Sequence, residues 1–190
     1  MERSFRWLLW SLALVGLTLD QATKYAVFAW LDQGGHGSEY VVIPNMFEFT
    51  AEFKAPGLPH VNQGALFGVG NTHGGLANGV FAAVSIVAAL AIVYWSRLRT
   101  TVRDCALCGA LGLILGGTLG NLYDRLFFQG VRDFIHWHYY RHDWPVFNIA
   151  DCCLVCGAIL LLGQAFFCRP VAAPTGELSM AGSSEMVEVR

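Results

Sequence analysis

Charge is scarce in this chain. Of its 190 residues 14% are charged and 55% apolar, and the mean hydropathy is +0.46. A soluble domain carries about 25% charge, so too few groups remain to keep a surface in water. A basic excess is missing as well: 12 Lys and Arg stand against 14 Asp and Glu, and a net charge of −2 leaves no field to hold nucleic acid. Six His are present (His36, His60, His73, His136, His138 and His142), but none forms the His-Glu-x-x-His that sets two metal ligands and a base on one helical face. No Gly-x-Ser-x-Gly elbow offers a serine nucleophile. What the chain has in quantity is aromatic, and 13 Phe with 6 Trp exclude disorder over most of its length. The composition describes a small integral membrane protein.

Crossing a hydrocarbon core of about 30 Å takes about 20 mostly apolar residues. Four segments meet that need: roughly Phe5 to Leu31, Leu76 to Trp95, Cys105 to about Leu122, and about Phe147 to Phe167. Arg3 and Arg6 before the first give it the look of a signal peptide. Its apolar run, however, meets Asp20 without a small-residue cleavage site and resumes through Trp30, so it is read as an uncleaved span. Orientation follows from Lys and Arg in short loops. Arg3 and Arg6, then Arg97, Arg99 and Arg103, then Arg169 mark the cytoplasmic side, whereas residues 32–74 hold Asp32, Glu39, Glu48 and Glu52 against Lys54 alone. Both termini are therefore expected in the cytoplasm. The expected fold is an all-α membrane protein of four transmembrane helices over residues 1–170, with 171–190 as a cytoplasmic tail. A small extracytoplasmic β element is expected within the outer connection 32–74, from Tyr40–Ile43 and Phe47–Thr50 around Pro44-Asn45. Trp30, Tyr94, Trp95, Phe127, Phe128 and Trp144 read as interfacial aromatic belts.

Ionisable groups gather at one depth. Asp20 and Lys24 lie a turn apart in the outer half of the first span, a favourable acid-before-base pair. Asn121 with Asp124 and Asn148 with Asp151 repeat an Asn-x-x-Asp spacing at the outer ends of the third and fourth. Charges inside a membrane are costly enough to be read as functional. Gly112, Gly116, Gly117 and Gly120 let a partner helix come close and bring Asp124 against it. Asp133, in Val131-Arg132-Asp133-Phe134, would be an ordinary loop acid were it not placed where the polar clusters converge.

Two neighbouring carboxylates in a dry site share a proton, so one can take a proton from an attacking water while the other supports a peptide carbonyl. Asn amides and an Arg could hold the substrate backbone. Two rival readings remain. Cys105-x-x-Cys108 and Cys153-x-x-Cys156 have the spacing of a thiol oxidoreductase, though their depth in the spans suits packing, as it does for Cys152 and Cys168. Asp20, Asp124 and Asp151 could serve a proton-coupled transporter, but no internal repeat supports one.

Five ordered blocks carry a resemblance. They are Asp20-Gln21-Ala22-Thr23-Lys24, Asn62-Gln63-Gly64-Ala65-Leu66-Phe67-Gly68, Gly116 through Arg125, Val131-Arg132-Asp133-Phe134, and Pro145 through Asp151. In these the chain resembles lipoprotein signal peptidase (signal peptidase II), the bacterial membrane aspartic protease. The resemblance implies cleavage of prolipoproteins just before a diacylglyceryl-modified cysteine, by Asp133 and Asp151 as the catalytic pair. Physics alone would have paired Asp124 with Asp151. Asn62, Asn121, Arg125 and Asn148 match positions that contact substrate or order the site, Asp124 a supporting acid, and Asp20 and Lys24 a structural or binding pair. No cofactor or metal is implied. The implied partners are the prolipoprotein and membrane lipid, around a monomer in the bacterial inner membrane with its site near the outer leaflet. Three departures stand out: Leu66 replaces a small residue, Glu52 to His60 looks inserted, and Arg132 replaces an apolar residue. A cation at Arg132 is expected to favour the ionised form of Asp133.

Overall fold

A computed structural model of the chain describes residues 4–33, 39–64, 75–140 and 142–167. Leu66, Cys168, Arg169 and the tail 171–190 lie outside the described residues, and with them the expected boundary at 170. Four long helices dominate: α1 (Arg6–Gln33), α2 (Gly75–Trp95), α4 (Cys105–Phe127) and α5 (Ile149–Phe167), with a short α3 (Arg99–Arg103) between α2 and α4. Their outward faces are apolar. Val84, Val87 and Leu90 on α2 and Ile159, Leu162 and Phe166 on α5 are all exposed. Each would lose about 1.5–3 kcal/mol of burial if it faced water, so these faces suit lipid. The protein is a mostly helical membrane protein with a small sheet.

Among the described residues three helices, α2, α4 and α5, are long and apolar enough to cross a membrane. This differs from the expectation of four. At 28 residues α1 is about 42 Å long, which suffices, but Asp20, Gln21, Thr23 and Lys24 interrupt its apolar run. The structure shows where those groups go: Asp20 and Lys24 are wholly buried against other helices.

α4 is the central helix, packed by α1 on one side and α5 on the other, with α2 against it as well. Glycine makes the approach possible. A Cβ on Gly112 would lie 2.6 Å from the Leu9 carbonyl of α1, and one on Gly117 would collide with the Ala150 carbonyl of α5. Leu9, Ala13, Ala89, Ile92, Cys108, Leu111 and Leu115 fill the seams between α1, α2 and α4. Asp104 starts α4 by accepting from the Leu107 N–H at 2.9 Å, which meets one of the unpaired donors at the helix end.

The sheet is fully antiparallel in the order β1-β2-β5-β6, from β1 (Glu39–Ile43), β2 (Phe47–Thr50), β5 (Ile135–Tyr139) and β6 (His142–Asp143). The first two match the expected runs, and Asn45 turns between them at a φ of 61°. β5 and β6 were not foreseen, because His136 and His138 hide the alternation of an Ile-His-Trp-His-Tyr strand. The apparent insertion from Glu52 to His60 is a hairpin of β3 (Phe53–Ala55) and β4 (Leu58–Pro59), reversed at Gly57 with φ of 74°. A second apolar cluster, Phe28, Leu31, Ala51 and Phe134, joins the end of α1 to the sheet and seats the Val131–Phe134 segment. Trp30, Tyr94, Trp95, Phe127 and Trp144 are exposed as belts require. Phe128 is not of that group, since its ring lies under the Arg132 guanidinium.

Candidate active site

An open cleft of about 730 Å³ lies where α4, the Val131–Phe134 segment and the start of α5 meet the β3–β4 hairpin. Its wall includes Asn62, Asn121, Arg125, Asp133 and Asp151, with Glu52, Lys54 and His60 of the hairpin at the rim. Asp133 and Asp151 are both half-buried there. Asp20, Lys24 and Asp124 do not line it.

Local sequence explains how the two acids arrive. Asn148 immediately precedes α5 and acts as its cap: the Asp151 N–H donates to Asn148 Oδ1 at 3.0 Å, and the Asn148 N–H donates back to Asp151 Oδ2 at 3.2 Å. This is a reciprocal capping box, and it sets the Asp151 carboxylate at the open end of the helix. The second Asn-x-x-Asp has another cause. Asn121 and Asp124 lie in the last two turns of α4, which runs on to Phe127, and their side chains part company. Asn121 Nδ2 donates to Asp151 Oδ1 at 2.9 Å, whereas Asp124 turns to the far side.

Asp133 comes from a short extended segment in which alternate residues face opposite ways. Its carboxylate accepts from Asn148 Nδ2 at 2.6 Å and from Asn62 Nδ2 at 3.2 Å. Asn148 therefore touches both acids. Asn62 is fixed by its paired backbone bonds with Val131, both 2.8 Å. Burial raises the Asp133 carboxyl, and the charge of Asp151 raises it further, to about 7, against the opposing pull of the Asn62 and Asn148 amides. The expectation that Arg132 would favour ionisation is corrected by the same alternation. Val131 and Asp133 face the cleft, and Arg132 faces away.

Arg132 instead belongs to a buried cluster behind the cleft. Its guanidinium donates to Asp124 Oδ1 at 2.8 Å and to Gln21 Oε1 at 3.0 Å, and its own N–H meets Asp124 Oδ2 at 2.9 Å. The Tyr25 and Phe128 rings flank it at 4.3 and 3.9 Å. Lys24 bridges Asp20 at 2.8 Å and Asp124 at 3.3 Å, so two anions meet two cations. This cluster reaches the cleft through two contacts: Asp20 Oδ1 accepts from the Ala150 N–H at 2.9 Å, and Lys24 donates to Asn121 Oδ1 at 3.1 Å. Each steadies a neighbour of Asp151. Asp124 and Arg125 are adjacent in sequence yet opposed in space, for Arg125 donates to the Gly64 carbonyl at 3.2 Å on the cleft side.

Sequence reasoning assigned no role to Gln21 or Asn78. Gln21 ties Asp20, Asp124 and Arg132 together. Asn78, the one side-chain amide in α2, donates to the Arg125 carbonyl at 3.1 Å. An amide alone in an apolar span is the signal that could have singled it out. Among the described residues no group of His, Cys, Asp and Glu is arranged to hold a metal ion.

Comparison with known proteins agrees with this architecture. A family model described as Signal peptidase (SPase) II matches residues 12–167. A lipoprotein signal peptidase of Rhodopirellula baltica is 42% identical over 171 residues, covering 84% of this chain and 71% of its own. That of Psychromonas ingrahamii is 35% identical, covering 93% and 95%. Among solved structures, a bacterial membrane enzyme determined by the in meso method at 2.3 Å resolution superposes with a TM-score of 0.70 at 27% identity, covering 91% of this chain and 99% of that one. The match takes in α1 from residue 12, all of α2, α4 and α5, and both acids of the cleft. The chain belongs to the signal peptidase II family of membrane-bound aspartic proteases.

Proposed function

We propose that Asp133 and Asp151 are the catalytic pair with which this chain cleaves the signal peptide from prolipoproteins. It cuts before the diacylglyceryl-modified cysteine. The observation that carries the assignment is Asn148, whose side-chain Nδ2 donates to Asp133 while its backbone N–H donates to Asp151 and its side-chain Oδ1 accepts from the Asp151 N–H at the same cleft. Asp151, accepting from Asn121 and Asn148, is the base that takes a proton from the attacking water. Asp133, a neutral acid below about 7, donates to the carbonyl oxygen of the scissile peptide. The resulting gem-diol collapses as its C–N bond breaks. One acid returns a proton to the cysteine nitrogen, and the signal peptide leaves with a new carboxylate. Arg125, which lines the cleft and whose Nη1 has no partner among the described residues, supplies a donor for a substrate backbone carbonyl. Asn62, Asn121 and Asn148 orient the acids, and Asp20, Lys24 and Asp124 hold α1, α4 and α5 in register behind them.

α1 is the fourth span in this reading. Its polar residues neutralise one another away from lipid, which removes the objection that its sequence raises. The Lys and Arg distribution supports a reading with both termini in the cytoplasm and the cleft near the outer leaflet of the bacterial inner membrane. That is where a lipidated cysteine is held by its acyl chains. The enzyme acts as a monomer in contact with membrane lipid, and it needs no cofactor. The test is incubation of the purified protein with a diacylglyceryl prolipoprotein. Wild type releases the signal peptide, and Asp151→Asn and Asp133→Asn each lower the rate by about 10³-fold or more with the unfolding midpoint retained. Full cleavage by either variant removes the assignment.

A further inference from the structure

α2 rests chiefly on α4 and turns most of its surface outward. It nevertheless carries a polar residue, Asn78, that is 4% exposed and turned inward. Asn78 Nδ2 donates to the Arg125 carbonyl in the last turn of α4, where main-chain carbonyls lack partners within the helix. One turn along the same face, Phe81 lies 5.1 Å under the Arg125 guanidinium. Arg125 is thus gripped by α2 at both its backbone and its side chain. It then donates to the Gly64 carbonyl, the Gly64 N–H donates to Asn62 Oδ1, and Asn62 Nδ2 donates to Asp133.

A continuous run of hydrogen bonds therefore leads from α2 to one of the two cleft acids. We infer that Asn78 is a positioning residue, which sets Arg125 and through it the 62–64 wall of the cleft. The inference rests on the peptidase reading. Among the described residues Asn78 Oδ1 and Arg125 Nη1 are buried without a hydrogen-bond partner. Asp133 keeps a second and shorter bond to Asn148 whatever happens to Asn62. Loss of Asn78 should accordingly loosen substrate binding and spare the chemical step.

The experiment compares cleavage of a synthetic diacylglyceryl lipopeptide by wild type, Asn78→Leu, Arg125→Lys and the double variant, each also followed by thermal unfolding. Asn78→Leu is expected to raise KM about tenfold, the worth of one buried hydrogen bond, with kcat within about twofold of wild type. In the Arg125→Lys background the same substitution is expected to add little, because the group it positions is already gone. Should Asn78→Leu fail to fold, Asn78→Ser removes the same long-reach amide with less bulk and is expected to give the same split. The inference is overturned by an unchanged KM, by effects that multiply in the double variant, or by kcat falling in step with the unfolding midpoint. Failure of wild type to cleave the lipopeptide would instead strike the peptidase reading itself.

Discussion

Four buried or half-buried acids, Asp20, Asp124, Asp133 and Asp151, divide into two adjoining clusters of opposite character. Behind the cleft, Asp20 and Asp124 meet Lys24 and Arg132, so every charge has a counter-charge and Gln21 joins both acids to Arg132. In the cleft, Asp133 and Asp151 have only the amides of Asn62, Asn121 and Asn148, and the Asn148 N–H, as hydrogen-bonding partners among the described residues. The ion-paired acids hold helices together, whereas the two bonded only to amides face the cleft and are free to exchange a proton with water there. The comparison teaches that burial of an acid does not mark a catalytic group here. The absence, among the described residues, of a direct ion pair to its carboxylate does.

The largest expected effect comes from breaking the compensation. Arg132→Met leaves Asp124 with one cation instead of two and removes the group between Tyr25 and Phe128, and it should cost about 3–5 kcal/mol of stability. Unfolding in a mild detergent measures this. The double variant Asp124→Leu with Arg132→Met should recover part of the loss, as apolar replacement of a buried pair commonly does. A smaller effect is expected from Gly120→Ala. Its new Cβ would sit 2.5 Å from Asp20 Oδ2, pushing the carboxylate away from Lys24 at a cost of about 1–3 kcal/mol in the same assay.

The smallest effect sharpens the other side of the comparison. Asn62→Ala removes a donor that favours ionised Asp133, so its carboxyl rises above about 7 and the alkaline limb of the cleavage profile moves to higher pH. The sign for stability follows. The folded value lies above the ordinary 3.8, so the folded state holds the extra proton, and stability falls as pH rises from about 3.8 towards 7. A pH series of kcat/KM and of unfolding midpoints reads both.

The residues of both clusters, though not their division, were legible in the sequence. Apolar runs located α2, α4 and α5, and the Asn-x-x-Asp spacing singled out Asn121, Asp124, Asn148 and Asp151. What the spacing could not show is that one copy caps a helix and the other lies inside one, so that Asp151 reaches the cleft and Asp124 does not. Asp133 drew notice through family resemblance, because a loop acid beside an Arg looks solvated until the alternation of Val131, Arg132 and Asp133 is known. The direction of Arg132 was misjudged for that reason. Sequence adjacency suggested an effect on Asp133, whereas an extended backbone sends neighbours to opposite faces. The β5 strand and the role of Asn78 escaped because each depends on contacts distant in the chain.

Infrared spectroscopy of the carboxyl stretch in wild type and Asp133→Asn, across roughly pH 5 to 8, addresses the division between the two clusters most directly. The account predicts a protonated carboxyl in wild type that is lost as pH passes about 7 and is diminished in Asp133→Asn. Fully ionised acids in wild type down to pH 5, or an unchanged protonated band in the variant, would contradict it.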